Sequence, residues 1–541
     1  MRAPDPRSID SYNERLARLS AADALPLLGA INRGVERETL RVTQEGGLAQ
    51  TPHPEHLGSK LCHPSITTDY SESQLELITP VAQDVGEMLE RLDEIHRFVY
   101  AGLDTELLWP ASMPCRLLED AAIPLAYYGN SNPGRLKHLY RKGLAWRYGR
   151  TMQTICAVHY NFSLPDALWA LLWREHGGRE DIREFRSRRY FDLMRNFRRF
   201  SWLPVYLFGA SPVAHDSFVR HRAHTLQRLD GENFYGALAT SLRNGNLGYQ
   251  SDVQSEAINI CYNGLDNYVD TLVEAILTPH PPYEKIGAQR NGEYLQVSTA
   301  LLQAEAEFYT TIRAKCIPPP GRNFLKELKR GGVAYIEVRL LDLNPYLPLG
   351  IDENEVRFLD TLLLYCLLMD SPEHGDELCY SVRENMLAAV CGGRDPALLL
   401  NDQGNWRTIL EWGGDLLRSL RPVAGLLDRA IGKPVHAESL ALQQTRMADP
   451  EAALSGRLLA DLRAARQSFV EFGLGQAAAH RRDFRSRPLP AERLEAFREL
   501  TRKSREDQAR LETEDTQDFD TFLAAKLREY RELAEESGSP E

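Results

Sequence analysis

Val35–Val42 reads VERETLRV, and this octapeptide sets the fold. Apolar and polar side chains alternate closely enough for a strand, and residues two apart on a strand share a face at roughly 7 Å. Glu36 and Glu38 therefore project together with Leu40, while Arg37, Thr39 and Arg41 project the other way. Two carboxylates that close repel unless a cation relieves them. Taken alone, the segment reads equally well as an exposed strand carrying surface charge pairs.

Four further segments repeat the pattern. Glu76 lies between Leu75 and Leu77 in Ser73–Thr79 (SQLELIT), and Glu337 between Ile336 and Val338 in Ala334–Leu341 (AYIEVRLL). Asp69 precedes Tyr70 in ITTDY, and His159 sits inside Cys156–Ser163 (CAVHYNFS). An ionisable group in an apolar strand is costly to bury unpaired. Its recurrence predicts one sheet face lined with ligands, mostly oxygen, of the kind that suits Mg²⁺ or Mn²⁺. Arg37, Arg141, Arg243, Arg313, Lys315 and Arg339 lie in or near these segments, Arg339 on the face of Glu337. A metal with converging arginines is what phosphoryl transfer requires, although each arginine singly reads as a surface ion pair.

Between the strands the periodicity is helical. Val85, Met88, Leu92, Ile95 and Val99 recur at helix spacing behind Asp84 and Glu87, a capped start. Leu136–Arg150, Tyr190–Phe200 (limited by Pro204), Asp352–Met369, much of Leu417–Ala477 and most of the last 60 residues read as helix. A strand is expected at Tyr294–Val297 and a stiff Pro-rich loop at Cys316–Gly321. Strands and helices do not alternate as βαβα, so the fold class is α+β: a mainly antiparallel sheet surrounded by helices. The expected division is a helical lead-in at 1–30, a sheet-and-helix core at 31–370 and a mainly helical region at 371–541.

Composition narrows the function. The chain has 541 residues, 43% of them hydrophobic, which excludes disorder over most of its length. Its 64 basic and 76 acidic side chains give a net charge of −12, against a broad nucleic-acid surface. Eight cysteines without a CxxC pair read as reduced, buried and cytosolic thiols. No apolar run reaches membrane-spanning length and no secretory leader is visible. No 20–50-residue repeat is found, nor GxxxxGK[ST], HExxH or GxSxG. Gly425–Pro434 (GLLDRAIGKP) has the wrong spacing for a phosphate loop, and His53-Pro-Glu-His56 reads as an exposed polar loop.

These residues, together with LGSKLCHPSITTDYSESQLELITP, LWPASMPC, YGNSNPGRLKHLYRKGL, RYGRTMQTICAVHYNFSLP, YLFGASP, TSLRNGNLGY, EFYTTIRAK and GGVAYIEVRLLDLNPYLPLGID, resemble the glutamate–cysteine ligase (γ-glutamylcysteine synthetase) family of the γ-proteobacterial type. The likeness runs from about Ile31 to Asp352. It implies a curved antiparallel sheet like that of glutamine synthetase, forming a funnel that holds ATP with Mg²⁺ or Mn²⁺. By matching motif it implies metal ligands at Glu36, Glu38, Asp69, Glu76, His159 and Glu337. The implied cysteine pocket is Tyr70, Tyr140, Leu144, Gln153, Tyr249 and Tyr309, and the resemblance does not require the Tyr70 hydroxyl. Arg243 and Arg339 are implied to hold substrate carboxylate or phosphate in catalysis, and Arg141, Arg313 and Lys315 to contact the nucleotide.

The implied reaction joins the γ-carboxylate of L-glutamate to the amine of L-cysteine through a γ-glutamyl phosphate. Glutathione is the implied feedback inhibitor, and a cytoplasmic monomer without nucleic-acid or membrane partners is expected. Two alternatives stay open: the same scaffold with another amine acceptor, and a non-catalytic Mg-nucleotide-binding protein.

Overall fold

The computed structural model describes residues 6–248, 252–536 and 538. Its central element is β1 (Asn32–Val42). Around it lie β2 (Ile66–Thr68), β3 (Gln74–Ile78), β4 (Leu107–Leu108), β5 (Val158–Ser163), β6 (Ile312–Lys315) and β7 (Tyr335–Leu341). Among the described residues these form one sheet in the order β6-β7-β5-β1-β3-β2, with β4 on the far end of β1. Every pairing is antiparallel, as the α+β expectation requires. Asp69 falls one residue past the end of β2, at a bend.

The two faces of the sheet differ. On the back, Val35, Leu77, Val158, Tyr160, Ile336 and Val338 are fully buried, each apolar side chain contributing about 1.5–3 kcal/mol. Helices Val85–Gly102 and Ile182–Phe200 lie against this face, and Glu353–Leu368 packs on both. Three arginines of β1 also point backward. Arg33 pairs with Asp360 at 2.8 Å, Arg37 reaches Nε2 of His96 at 2.9 Å, and Arg41 meets Glu106 at 2.6 Å. Arg37 is therefore a structural cation behind the sheet and not one of the site's arginines.

Local chemistry fixes the element ends. Asp84 accepts from the backbone N–H of Glu87 at 2.9 Å and starts the Val85–Gly102 helix. Ser131 caps helix Asn132–Tyr148, which begins ahead of the expected Leu136 because Pro133 fits a first turn. Pro204 sits in the first turn of a separate helix, Trp202–Phe208. The expected strand at Tyr294–Val297 is only a two-residue arm, Glu293–Tyr294, paired with Gln289–Arg290. Side-chain competition ends it, because Oε1 of Gln303 takes the Val297 N–H at 3.0 Å.

The thiol expectation also needs correction. Cys261 and Cys379, 118 residues apart, form a disulfide with Cα atoms 6.1 Å apart. Cys115, Cys156, Cys316 and Cys366 are free and buried, Cys62 is half-buried and Cys391 is exposed. The His53–His56 loop is half-buried instead of exposed, since His56 bonds the Val99 carbonyl and Thr501 of the Ala491–Glu514 helix covers it. One hydrophobic cluster extends from Leu19 to Leu533, so the C-terminal helices pack on the sheet-bearing part.

Candidate active site

The front face of the sheet carries the charged row. Register places Glu38 opposite Glu76, Glu36 opposite His159, and Glu337 between Asn161 on β5 and Arg313 on β6. Ligand atoms of Glu36, Glu76 and His159 all lie within 4.8 Å of one another. Nδ1 of His159 is 3.2 Å from Oε2 of Glu36 and 3.7 Å from Oε1 of Glu337, and Nε2 is 3.5 Å from Oε1 of Glu38. Oε2 of Glu38 accepts from the Ala157 N–H at 2.8 Å. Arg339 and Lys315 approach Oε1 of Glu337 at 3.1 and 3.5 Å. The β5–β7 register shifts between Val338 and Leu341, beside Arg339, and such irregularities re-aim side chains at functional sites.

Charge is graded across this face. At the β6–β7 side, burial raises Glu337, but Lys315 and Arg339 more than reverse it and hold the carboxyl well below its usual range. At the β3 side, burial with Asp69 and Glu76 nearby pushes Glu38 well above that range. Burial, Glu36 and Asp69 raise Glu76 to about 8. Burial and Arg339 lower His159, so its imidazole is neutral near pH 7, the form that ligates metal. Oε2 of Glu337, whose side chain is 1% exposed, has no hydrogen-bond partner. A crowded acidic end, a neutral imidazole and an orphaned carboxylate oxygen fit one or more hard divalent cations.

A cavity of about 410 Å³ opens in front of this row. Its wall includes Glu38, His159, Arg243, Tyr309 and Arg339 from the expected set. Arg243 is fixed by a bond to the Arg339 carbonyl and lies 3.7 Å from Asp342, which itself accepts from Ser211, Ser241 and the Ala210 N–H. Gln153 donates to the Tyr309 hydroxyl at 3.0 Å. Tyr140 and Leu144 are one turn apart on the Asn132–Tyr148 helix, and Tyr140 lies near Asp69 and Arg313.

Other expected residues take less direct places. The buried Tyr70 hydroxyl has no hydrogen-bond partner and lies near Arg150, Asp120 and Arg141. Arg141 donates to the Asp69 carbonyl and stacks 4.5 Å from the centre of the Tyr128 ring. Arg313 donates to the Ala306 and Phe308 carbonyls at 2.8 and 2.6 Å. Tyr249 lies outside the described residues.

Sequence reasoning passed over several groups. Asn161 donates to Oε1 of Glu36 at 2.8 Å, and its place two residues after His159 in HYN was the available signal. Arg198, Asp376, Tyr380 and Arg383 line the outer cavity from two helices whose sequences carry no recognisable motif. Arg147 and Glu307 form a fully buried pair at 2.9 Å behind the Tyr309 side of the pocket, 160 residues apart and invisible to local pattern.

A sheet face that grades from clustered carboxylates to converging guanidinium groups is built for an enzyme handling phosphorylated, carboxylate-bearing substrates. The profile of the family described as glutamate-cysteine ligase matches residues 16–389. Proteins called glutamate–cysteine ligase from Pseudomonas entomophila and Azotobacter vinelandii are 49% and 50% identical, over 95% of this chain and 97% of theirs. The glutamate–cysteine ligase of Francisella tularensis, solved in complex with AMP, superposes with a TM-score of 0.86 at 31% identity, covering 93% of this chain and 98% of that one. A bifunctional glutathione synthetase from Pasteurella multocida gives 0.70 at 25% identity, covering 91% of this chain and 58% of that one. The chain belongs to the glutamate–cysteine ligase family.

Proposed function

We propose that this chain catalyses the ATP-dependent joining of the γ-carboxylate of L-glutamate to the amine of L-cysteine, giving γ-glutamylcysteine, ADP and phosphate. The observation that carries this reading is the front row itself: Glu36, Glu38, Glu76, His159 and Glu337 on neighbouring strands, with Arg339 and Lys315 against Glu337. A carboxylate is a poor acyl donor because oxide is a poor leaving group; transfer of the γ-phosphoryl group of ATP makes phosphate the leaving group instead.

Glu36, Glu38, Asp69, Glu76, His159 and Glu337 would hold Mg²⁺ or Mn²⁺. When bound, such ions neutralise and align phosphate oxygens. Arg339 is pinned beside Glu337 and presents its fork to the cavity, where a planar guanidinium orients carboxylate or phosphate in a way lysine cannot copy. Arg243, locked by the Arg339 carbonyl and Asp342, offers a second preset cation. Gln153, Tyr309, Tyr140 and Leu144 would receive the cysteine; of these Tyr309 lines the cavity and Gln153 donates to its hydroxyl. Tyr70 is assigned to its edge. Arg141 holds the Asp69 backbone and Arg313 the 306–308 loop, and both are assigned to the nucleotide. The chain needs no covalent nucleophile, and positioning supplies the rate. Glutathione, which contains the γ-glutamylcysteinyl unit, would compete for the same pocket. A cytoplasmic monomer completes the proposal; no helix among the described residues is long and apolar enough to cross a membrane.

The test is ADP release from Mg²⁺–ATP and L-glutamate with and without L-cysteine. Cysteine-dependent release with γ-glutamylcysteine as product is expected. Release with another amine alone would reassign the acceptor, and no release with any amine would leave only nucleotide binding.

A further inference from the structure

Asn161 lies two residues after His159 on β5 and shares its face. In the ladder it stands opposite Glu337 on β7 and opposite Gly34 on β1. Its Nδ2 donates to Oε1 of Glu36 at 2.8 Å, while Oε2 of that carboxylate faces His159 at 3.2 Å. One strand thus grips both oxygens of Glu36. The amide can have only this orientation, since an ionised carboxylate accepts and cannot donate. Oδ1 of Asn161 must then look away from Glu36, and it is buried with no partner. Gly34 presents no side chain that could satisfy it.

The residue directly across on the other side has the same deficit. Oε1 of Glu337 carries Arg339, Lys315 and His159 at 3.1, 3.5 and 3.7 Å, while Oε2 has none. Side chains directly paired across an antiparallel ladder have Cβ atoms only about 5 Å apart. Two buried acceptors left without donors on paired residues leave an uncompensated negative field. One neutral amide oxygen and one carboxylate oxygen, with Glu36 adjacent, form an oxygen set for a hard divalent cation.

We propose that Asn161 is a further residue of the cation site: Nδ2 positions Glu36, and Oδ1 joins Oε2 of Glu337 as an oxygen ligand for the divalent ion that accompanies ATP. This inference rests on the metal–ATP reading above.

The test counts Mn²⁺ binding to the full-length protein without substrates, by the electron paramagnetic resonance signal of free Mn²⁺. It is run on wild type, Asn161→Ser and Asn161→Asp, with KM measured separately for Mg²⁺–ATP and for L-cysteine. Asn161→Ser should weaken Mn²⁺ binding at least tenfold and raise KM for Mg²⁺–ATP, with KM for L-cysteine within twofold. Asn161→Asp keeps an oxygen at that place but loses the Nδ2 donor to Glu36, and should bind Mn²⁺ more tightly than Asn161→Ser. A merely structural asparagine would lower thermal stability in both variants and leave the order of metal affinities unmoved. Wild-type affinity in Asn161→Ser, or equal weakening in both variants, would overturn the role of Asn161 alone. Failure of the wild type to bind Mn²⁺ would overturn the metal reading of the whole site.

Discussion

Glu38 and Glu76 face each other across β1 and β3, and each is destabilised by the other's neighbourhood. Such a pair is kept for function at the expense of stability. Glu38→Gln preserves an acceptor for the Ala157 N–H and removes a carboxyl whose ionisation burial and acidic neighbours oppose, so the metal-free protein should melt at the same temperature or higher. Its kcat/KM should fall by about 10²–10³, the size typical of one lost electrostatic contact to a transition state. Calorimetry and steady-state rates on one preparation check both halves. The pH dependence has a definite sign. Glu76 without metal holds its proton below about 8, and a ligating carboxylate must lose it. Mn²⁺ affinity should therefore rise from pH 6.5 to about 8 and then level, with proton release in weakly buffered titrations. At this scale the sequence was legible wherever an ionisable group interrupted an apolar strand, as at Glu36, Glu76, His159 and Glu337. Asn161 escaped because a neutral amide in a strand carries no comparable cost. Arg37 misled because its partner, His96, is 59 residues away on a helix behind the sheet.

The element that holds β1 and β5 flat against the helices is a buried polar knot. Asp360 accepts from Arg33 and from the Tyr160 hydroxyl, the latter at 2.6 Å. Arg33 precedes Glu36 by three residues and Tyr160 follows His159, so the knot anchors the backs of the strands that carry Glu36 and His159. Asp360→Ala strands a buried guanidinium and should cost about 3–5 kcal/mol in urea unfolding. The double change Arg33→Met with Asp360→Leu should cost clearly less than Asp360→Ala. A second prediction at this scale concerns the Phe469–Ser486 helix. Burial and the nearby Arg37 push His480 down to about 4 from an ordinary 6.5. Between those values the unfolded chain binds a proton that the folded one refuses, so stability falls as pH drops from about 6.5 to 4 and is flat above. His480→Gln should flatten that slope in urea midpoints measured from pH 7 to 4.5. Elements with strong periodicity and caps, such as Val85–Gly102, were readable from sequence almost to the residue. The Tyr294–Val297 strand was not, because the Gln303 side chain captures the backbone donor a strand would have used.

At the scale of the molecule, the C-terminal helices brace the elements around the sheet. Asp515 accepts from both the backbone N–H and the side-chain amide of Asn132, at the start of the helix that carries Tyr140, Arg141 and Leu144. Phe497 stacks on Phe98 with centroids 4.8 Å apart, and Arg493 pairs with Glu94 at 2.5 Å. Asp515→Ala removes an anion from a helix N-terminus and should cost about 1 kcal/mol, raising KM for L-cysteine more than it lowers kcat. None of this long-range packing was visible in the charged, weakly amphipathic tail sequence, since its partners lie almost 400 residues earlier. The measurement that bears most directly on the reaction uses L-glutamate carrying ¹⁸O in its γ-carboxylate. With ATP, Mg²⁺ and L-cysteine, each phosphate released should contain one ¹⁸O, and the peptide carbonyl should keep the other. Phosphate that forms with the peptide but carries no ¹⁸O would contradict activation of the γ-carboxylate by phosphoryl transfer.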